Sequence, residues 1–142
     1  MKPPAYDECY LDMMYQKTRF LFKLMARNKM DVFEGISNYM MGDYRRYMDM
    51  GNPLYLNKTP KQILGEMGYI PDIDAEISWD YDELILEWMA DVYVYLQWKY
   101  GIASAEIVQK IPPAELYQRY YPLHETSVLN GCSKLIEIYE IG

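Results

Sequence analysis

The stretch between residues 80 and 101 constrains the fold of this chain more than any other. From Leu84 to Trp98, 12 of 15 residues are apolar, and they occupy nearly every side of a helix. Acidic residues over 80–83 suit a helix start, and Gly101 provides the stop. The apolar stretch is shorter than the ~20 residues of a membrane span and contains two carboxylates. We therefore predict a central core helix over residues 80–100.

Apolar residues recur at helical spacing along most of the remaining chain. They predict further helices over 6–27, 32–49, 60–67, 104–110, 113–121 and 133–140. Asp31, Thr59, Ser104 and Ser133 are predicted N-caps, and Gln62 completes a capping box with Thr59. Brief extended pieces are expected at 54–56 and 127–129. A chain of 142 residues, 51% of them hydrophobic, can bury a core without a metal or disulfides. The prediction is a mainly α protein, folded as a single helical domain over 1–142.

The two halves of the chain align without a gap when they are shifted by 73 residues. Leu11 then falls on Leu84, Tyr15 falls on Trp88, and residues 44–47 fall on 117–120. This register predicts two pseudo-repeats, at about 6–68 and 80–142, joined by an acidic connector over 69–79. The alternative interpretation is a chance match between two tyrosine-rich helical segments.

Charge is distributed unevenly along the chain. The formal net charge is -7, which opposes binding to phosphate backbones and makes nucleic acid an unsuitable partner. Residues 62–98 hold nine acidic and no basic side chains. The candidate acidic partner-binding residues are Asp72, Asp74, Glu76, Asp80, Asp82 and Glu83. The alternative is a solvated linker that only keeps the protein soluble.

Sixteen tyrosines provide the second candidate surface. Tyrosine and arginine are enriched at the residues that dominate protein–protein binding energy. The candidate aromatic and arginine partner-binding residues are Tyr44, Arg46, Tyr47, Tyr117, Arg119 and Tyr120. The alternative is that half of the tyrosines complete the core, while the two arginines pair with acids of the other unit.

Catalytic templates find little support in the sequence. His124 is the only histidine, and no metal-binding, phosphate-cradling or dinucleotide-binding motif is present. A structural imidazole bonded to backbone is favoured over a catalytic base. Glu87 and Asp91, one turn apart, are interpreted as polar positions facing tyrosine hydroxyls or solvent rather than as a carboxylate pair with a raised pKa. Cys9 and Cys132 are expected to be ordinary thiols. No catalytic residue, metal ligand or cofactor is predicted.

The C-terminal half resembles a known family over about fifty residues. The segment 95–102 (YLQWKYGI), Ser104, the run 106–108, the cluster 117–121 and Leu123-His124 carry the resemblance. The family comprises small helical bacterial proteins of unknown function from gut Firmicutes, often encoded beside ADP-ribosyltransferase-like toxins. The resemblance implies an antitoxin-side partner, with no binding residues to carry over. The tandem arrangement departs from the family, as does Met50-Gly51 at the position aligned with Leu123-His124.

These observations predict a non-enzymatic, acidic protein that binds another protein and masks a toxin or nuclease. The alternative is a DNA-mimic inhibitor of a nucleic-acid-binding enzyme, of the phage anti-defence or anti-CRISPR type, and a small enzyme using His124 ranks third. The N-terminal residues 1–8 lack a signal-peptide pattern, so a cytoplasmic location without membrane contact is expected. Self-association as a homodimer is left open.

Overall fold

Helices account for the architecture of residues 3–141, the part of the chain that the computed structural model describes, and the predicted mainly α class is confirmed. A 3-10 turn at Glu8–Tyr10 precedes ten α-helices in this part. In chain order they are α1 (Leu11–Arg27), α2 (Val32–Met41), α3 (Asp43–Asp49), α4 (Pro53–Leu56), α5 (Pro60–Glu66), α6 (Glu83–Tyr100), α7 (Ser104–Lys110), α8 (Pro113–Gln118), α9 (Tyr120–Leu123) and α10 (Val128–Tyr139). None of these helices is both long enough and apolar enough to cross a membrane.

Helix α6 is the predicted central helix. Trp88, Val92, Leu96 and Trp98 are buried in the main hydrophobic core, while Tyr95 is half-buried. The helix begins at Glu83 rather than at residue 80, because the Asp82 side chain accepts a hydrogen bond from the Leu84 amide and so caps the first turn. It ends at Gly101, whose φ of 65° lies in the left-handed region that favours glycine.

Three ion pairs join α1 to α6, its most extensive neighbour. From one end to the other, the pairs are Arg19–Asp91, Lys23–Glu87 and Arg27–Glu83. As the residue number rises along α1, the number of its partner on α6 falls. The two helices therefore run antiparallel. The two arginines each donate two hydrogen bonds to their carboxylates, at 2.6 to 2.8 Å. The carboxylates of Glu87 and Asp91 therefore face α1, which corrects their interpretation as groups facing tyrosines or solvent.

The Arg27–Glu83 pair makes a pH-dependent contribution to stability. Hydrogen bonds from Arg27 lower the pKa of Glu83 below its ordinary 4.5. A carboxyl with a lowered folded-state pKa stabilises the fold above its unfolded-state pKa, and this contribution is lost as the pH falls through the folded-state value. We expect Glu83→Gln to reduce the free energy of unfolding at pH 7, and the difference from the parent to shrink in acid. Urea unfolding of the variant and the parent, at pH 7 and in acid, measures this difference in free energy. The control is Glu76→Gln. A difference that grows in acid would contradict the assignment.

Several predicted helix boundaries are wrong, each for a local reason. The helix predicted over 32–49 is divided at Gly42, whose backbone is extended with ψ of 161°. Residues 53–56 form α4 instead of an extended piece, because Asn52 caps it and Pro53 occupies its first turn. Ser127, not Ser133, caps α10, so the piece expected to be extended at 127–129 leads into that helix. The helix predicted over 113–121 is two helices, α8 and α9. The capping box at Thr59 and the cap at Asp31 are confirmed.

The proposed internal duplication is not confirmed. Its most specific match aligned Tyr44 with Tyr117, yet these side chains have different neighbours. The Tyr44 ring packs edge-on against Tyr55, whereas the Tyr117 ring packs against Phe33 and Tyr81. Four helices follow each of α1 and α6, but their lengths differ: 10, 7, 4 and 7 residues after α1, and 7, 6, 4 and 12 residues after α6.

A buried charge links α3 to α7. Arg45 is 2% exposed, and its Nη1 atom lies 3.2 Å from Asp49 Oδ1, an ion pair without a hydrogen bond. The two oxygens of Asp49 accept hydrogen bonds from the Ser104 hydroxyl and amide, at 2.6 and 2.7 Å. Ser104 was predicted to cap α7, but Ala103 holds the cap position and the Ser104 hydroxyl contacts α3 instead. One carboxylate thus serves both the buried guanidinium and the start of α7.

Both cysteines are free thiols, as expected. Cys9 is exposed and Cys132 is buried. Burial raises the pKa of Cys132 to about 12, which keeps its thiol protonated near neutral pH.

Candidate functional site

Large apolar side chains are exposed beside carboxylates in the segment that connects α5 to α6. Ile70 is 96% exposed and Trp79 is 93% exposed. We call this region the connector surface, and define it by the exposed apolar residues Ile70, Ile73, Ile77, Trp79 and Leu84 and the exposed acidic residues Asp72, Asp74, Glu76, Asp80 and Asp82. Exposed apolar side chains that form a patch mark interaction sites more often than scattered ones do.

Local hydrogen bonds hold the connector surface in place without a regular helix. The Asn28 side chain, just after α1, bonds both the amide and the carbonyl of Asp72, at 2.9 and 3.2 Å. Asp72 in turn accepts a bond from the Asp74 amide. The Ser78 hydroxyl donates to Asp80 and accepts from the Asp80 amide. These bonds fix the backbone and leave most of the carboxylates and the Trp79 ring facing solvent.

The five carboxylates of the connector surface have no cationic partner within residues 3–141. Glu83, the sixth acidic residue of the predicted set, differs because it pairs with Arg27 and its side chain is 15% exposed. The sequence explains this separation, since no lysine or arginine lies between Lys61 and Lys99. The connector surface is therefore a region of uncompensated negative charge.

A groove of about 480 Å³ runs beside Trp79. Its walls include Ile77, Leu84, Tyr81 and Tyr117. The Tyr117 hydroxyl accepts a hydrogen bond from the Asp82 amide at 2.9 Å, which brings the C-terminal half of the chain to this surface. Of the six predicted aromatic and arginine residues, Tyr117 is the one that lines this groove.

Tyr44 and Tyr47 line a different cavity, of about 560 Å³, on the α2–α5 side of the molecule. We call it the tyrosine pocket and define it by Tyr39, Tyr44, Tyr47, Tyr55 and Tyr69 together with Asp43 and Glu66. Arg46 is not among the lining residues, but its guanidinium pairs with Asp43 at 3.4 Å and lies over the Tyr47 ring. The pairing is within one helix, not with an acid of the other half.

Arg119, Tyr120 and His124 form a third group near α9. The Tyr120 ring stacks on the His124 imidazole, with centroids 4.2 Å apart. The imidazole Nδ1 lies 2.8 Å from the Tyr120 carbonyl oxygen, the backbone contact predicted for a structural histidine. Arg119 donates to the Tyr139 hydroxyl at 2.8 Å. The predicted aromatic and arginine residues thus divide among three places instead of forming one surface.

Sequence reasoning missed Trp79 and Ile70 on the connector surface, and Tyr55 and Glu66 in the tyrosine pocket. A signal for Trp79 was available, because a tryptophan in an acidic segment with no helical spacing has no core position to occupy. Tyr55 and Glu66 gave no comparable signal, since their proximity to Tyr44 depends on how α3, α4 and α5 pack. Among residues 3–141, no group of three or more His, Cys, Asp or Glu side chains is placed to hold a metal ion.

Comparisons of the chain with models of protein families, with curated proteins and with solved structures give no match.

Proposed function

We propose that this chain is a non-enzymatic inhibitor that binds a basic protein through the connector surface and masks it. The observation that carries the proposal is the exposure of Trp79 and Ile70 among carboxylates that have no cationic partner in the described part of the chain. Tryptophan is the residue most enriched at binding hot spots, and leaving it in water serves no purpose in the isolated fold. The partner class that we favour is a toxin or nuclease, in keeping with the resemblance to antitoxin-like proteins.

The two kinds of side chain on the connector surface would have different tasks in binding. Exposed carboxylates accelerate the encounter with a basic partner and contribute little to holding it. A tryptophan ring that becomes buried in the partner slows dissociation. The groove beside Trp79 would receive an apolar side chain of the partner, because Ile77 and Leu84 form part of its wall.

A DNA mimic is the second candidate, and the unpaired carboxylates favour it. A surface that imitates phosphates, however, needs charge and gains little from exposed isoleucines between the charges. The isoleucines of the connector surface therefore favour a partner that binds it in a protein groove with a basic rim. They are less well explained by a partner that binds it in a nucleic-acid channel. Salt separates the two candidates, because a carboxylate-driven complex weakens steeply with ionic strength and a tryptophan-anchored one does not.

The test measures binding kinetics against the partner isolated from the native host with the intact chain as bait. We expect Trp79→Ala to raise the dissociation rate by roughly tenfold to thirtyfold, the effect of losing a hot spot of about 1.4–2 kcal/mol. The control is Tyr121→Ala, because Tyr121 is also an exposed aromatic residue, at 69%, and lies outside the connector surface. Equal dissociation rates for both variants would contradict the proposed anchor.

Charge reversal tests the encounter separately. Asp72→Lys, Asp74→Lys and Asp80→Lys together should slow association and flatten its salt dependence. The control reverses three exposed carboxylates elsewhere, Glu106, Glu125 and Glu137. An equal slowing by both sets would indicate an effect of net charge, not of the connector surface. Masking itself is measured as loss of the partner's own activity on addition of the parent chain, and full activity in the saturated complex would remove the inhibitor role.

A further inference from the structure

The tyrosine pocket combines aromatic walls with negative charge. Its volume of about 560 Å³ lies within the range of small-ligand sites. Among its described lining residues are five tyrosines and the acids Asp43 and Glu66, with no lysine or arginine. Asp43 is partly compensated by Arg46, whereas Glu66 forms no ion pair with any residue of 3–141. The net charge of the lining is therefore negative.

The rings are arranged in two directions. Tyr47 stacks on Tyr55 with centroids 4.7 Å apart, and Tyr44 stands nearly perpendicular to Tyr55, at 81°. Aromatic faces attract cations. The molecule already uses this attraction here, since the Arg46 guanidinium carbon lies 5.4 Å from the centre of the Tyr47 ring.

The Tyr44 hydroxyl is buried and has no hydrogen-bond partner in the described chain. Burial, reinforced by the charge of Glu66, raises the pKa of Tyr44 to about 12, so the phenol stays neutral near pH 7. Because this oxygen has almost no accessible surface, a ligand in the pocket meets the Tyr44 ring and the Glu66 carboxylate, not the hydroxyl.

We infer that the tyrosine pocket binds an organic cation bearing N–H groups, an alkylammonium or a guanidinium. The cation lies against the tyrosine rings and donates its hydrogen bonds to the Glu66 carboxylate. None of the residues that define the connector surface lines this pocket, so the site does not depend on the inhibitor role proposed above. The cation can come from a free amine or from a lysine or arginine side chain, and the experiment distinguishes these sources.

The experiment titrates the intact chain with small probes while tyrosine ring resonances are followed by NMR at constant ionic strength. The probes are butylammonium, butylguanidinium, tetramethylammonium and the neutral 1-butanol. We expect the two N–H cations to bind about tenfold more tightly than butanol, with tetramethylammonium between them, because it keeps the charge but donates no hydrogen bond. Butanol binding as tightly as the cations, or tetramethylammonium as tightly as butylammonium, would overturn the inference.

Three variants locate the effect. Glu66→Gln should weaken butylguanidinium binding about fivefold or more, while Glu76→Gln, which removes the same charge from the connector surface, should leave it unchanged. Tyr44→Phe should leave the binding of butylguanidinium and of tetramethylammonium nearly unchanged, since it keeps the ring and removes only a hydroxyl that the cation does not reach. Glu66 is exposed, so its variant tests the site even if Tyr44→Phe fails to fold. Equal effects of Glu66→Gln and Glu76→Gln would overturn the inference.

A peptide probe, Gly-Arg-Gly, identifies the source of the cation. Its affinity for the intact chain is compared with that of butylguanidinium. Tighter binding of the peptide supports an arginine of a protein partner, because the flanking backbone then finds contacts outside the pocket. Weaker binding supports a free amine, because the pocket then admits the cation only without flanking chain.

Discussion

Asp49→Ala is expected to lower the free energy of unfolding by about 3–5 kcal/mol, the usual effect of removing one partner of a buried ion pair. Arg45 would keep its charge at 2% exposure without a counter-ion. The Ser104 amide and hydroxyl would lose their acceptor at the same time. Urea denaturation of the variant and the parent at pH 7 measures the difference.

The matched control for this prediction is Asp43→Ala, in the same helix. The Asp43 carboxylate also pairs with an arginine, but its side chain is 85% exposed. Its removal should change stability by at most about 0.5 kcal/mol, because solvent screens the pair. A double variant, Arg45→Met with Asp49→Leu, should recover much of the loss, since it removes the unpaired charge as well. Similar losses for Asp43→Ala and Asp49→Ala would show that the buried pair does not stabilise α3.

Trp88→Ala is expected to cost about 3–5 kcal/mol, a large share of the ~5–15 kcal/mol that stabilises a domain of this size. The Trp88 ring is 8% exposed and meets the Tyr120 ring edge-on, with centroids 5.6 Å apart. Truncation would leave a cavity between α6 and α9. Thermal unfolding followed by circular dichroism measures the loss.

Trp79→Ala is the matched control for Trp88→Ala, because Trp79 is 93% exposed and its removal leaves no cavity. Its melting temperature should stay within a degree or two of the parent. If Trp88→Ala melts as the parent does, α6 is not the centre of the core. If Trp79→Ala melts well below the parent, its ring packs in the fold and is not a free anchor.

Features that depend on neighbouring residues in the chain were predictable from the sequence. The capping box at Thr59, the stop at Gly101 and the apolar character of α6 all follow from interactions within one or two helical turns. The break at Gly42 was not predicted, because the apolar spacing over 32–49 continues through it. Ser104 was also not predictable from its neighbours in the chain. Its hydroxyl donates to the carboxylate of Asp49, 55 residues away, and does not cap its own helix.

The candidate site shows a comparable division. The negative charge of the connector was predictable, because the sequence alone shows nine acidic residues and no basic residue between 62 and 98. Glu83 does not belong to the uncompensated charge, because it pairs with Arg27, which is 56 residues away in the chain. The sequence of the connector alone does not show this pairing. A sequence signal for that contact exists: Arg19, Lys23 and Arg27 repeat every four residues, and Glu83, Glu87 and Asp91 repeat at the same interval. Matching the two intervals predicts that α1 pairs with α6. It does not predict the direction, because parallel helices would also place each base opposite an acid.

The pairing of α1 with α6 has a consequence for the synthesis of the protein. Buried side chains such as Phe22 on α1 have their main partner in a helix that is made much later. At roughly 5–20 residues per second, the ribosome needs several seconds to progress from Arg27 to Tyr100. During this interval α1 can contact α2 and α5 but lacks its main partner, so part of its apolar face is open to aggregation and proteolysis. Release of α6 from the ribosome therefore marks the step at which the N-terminal half can complete its core.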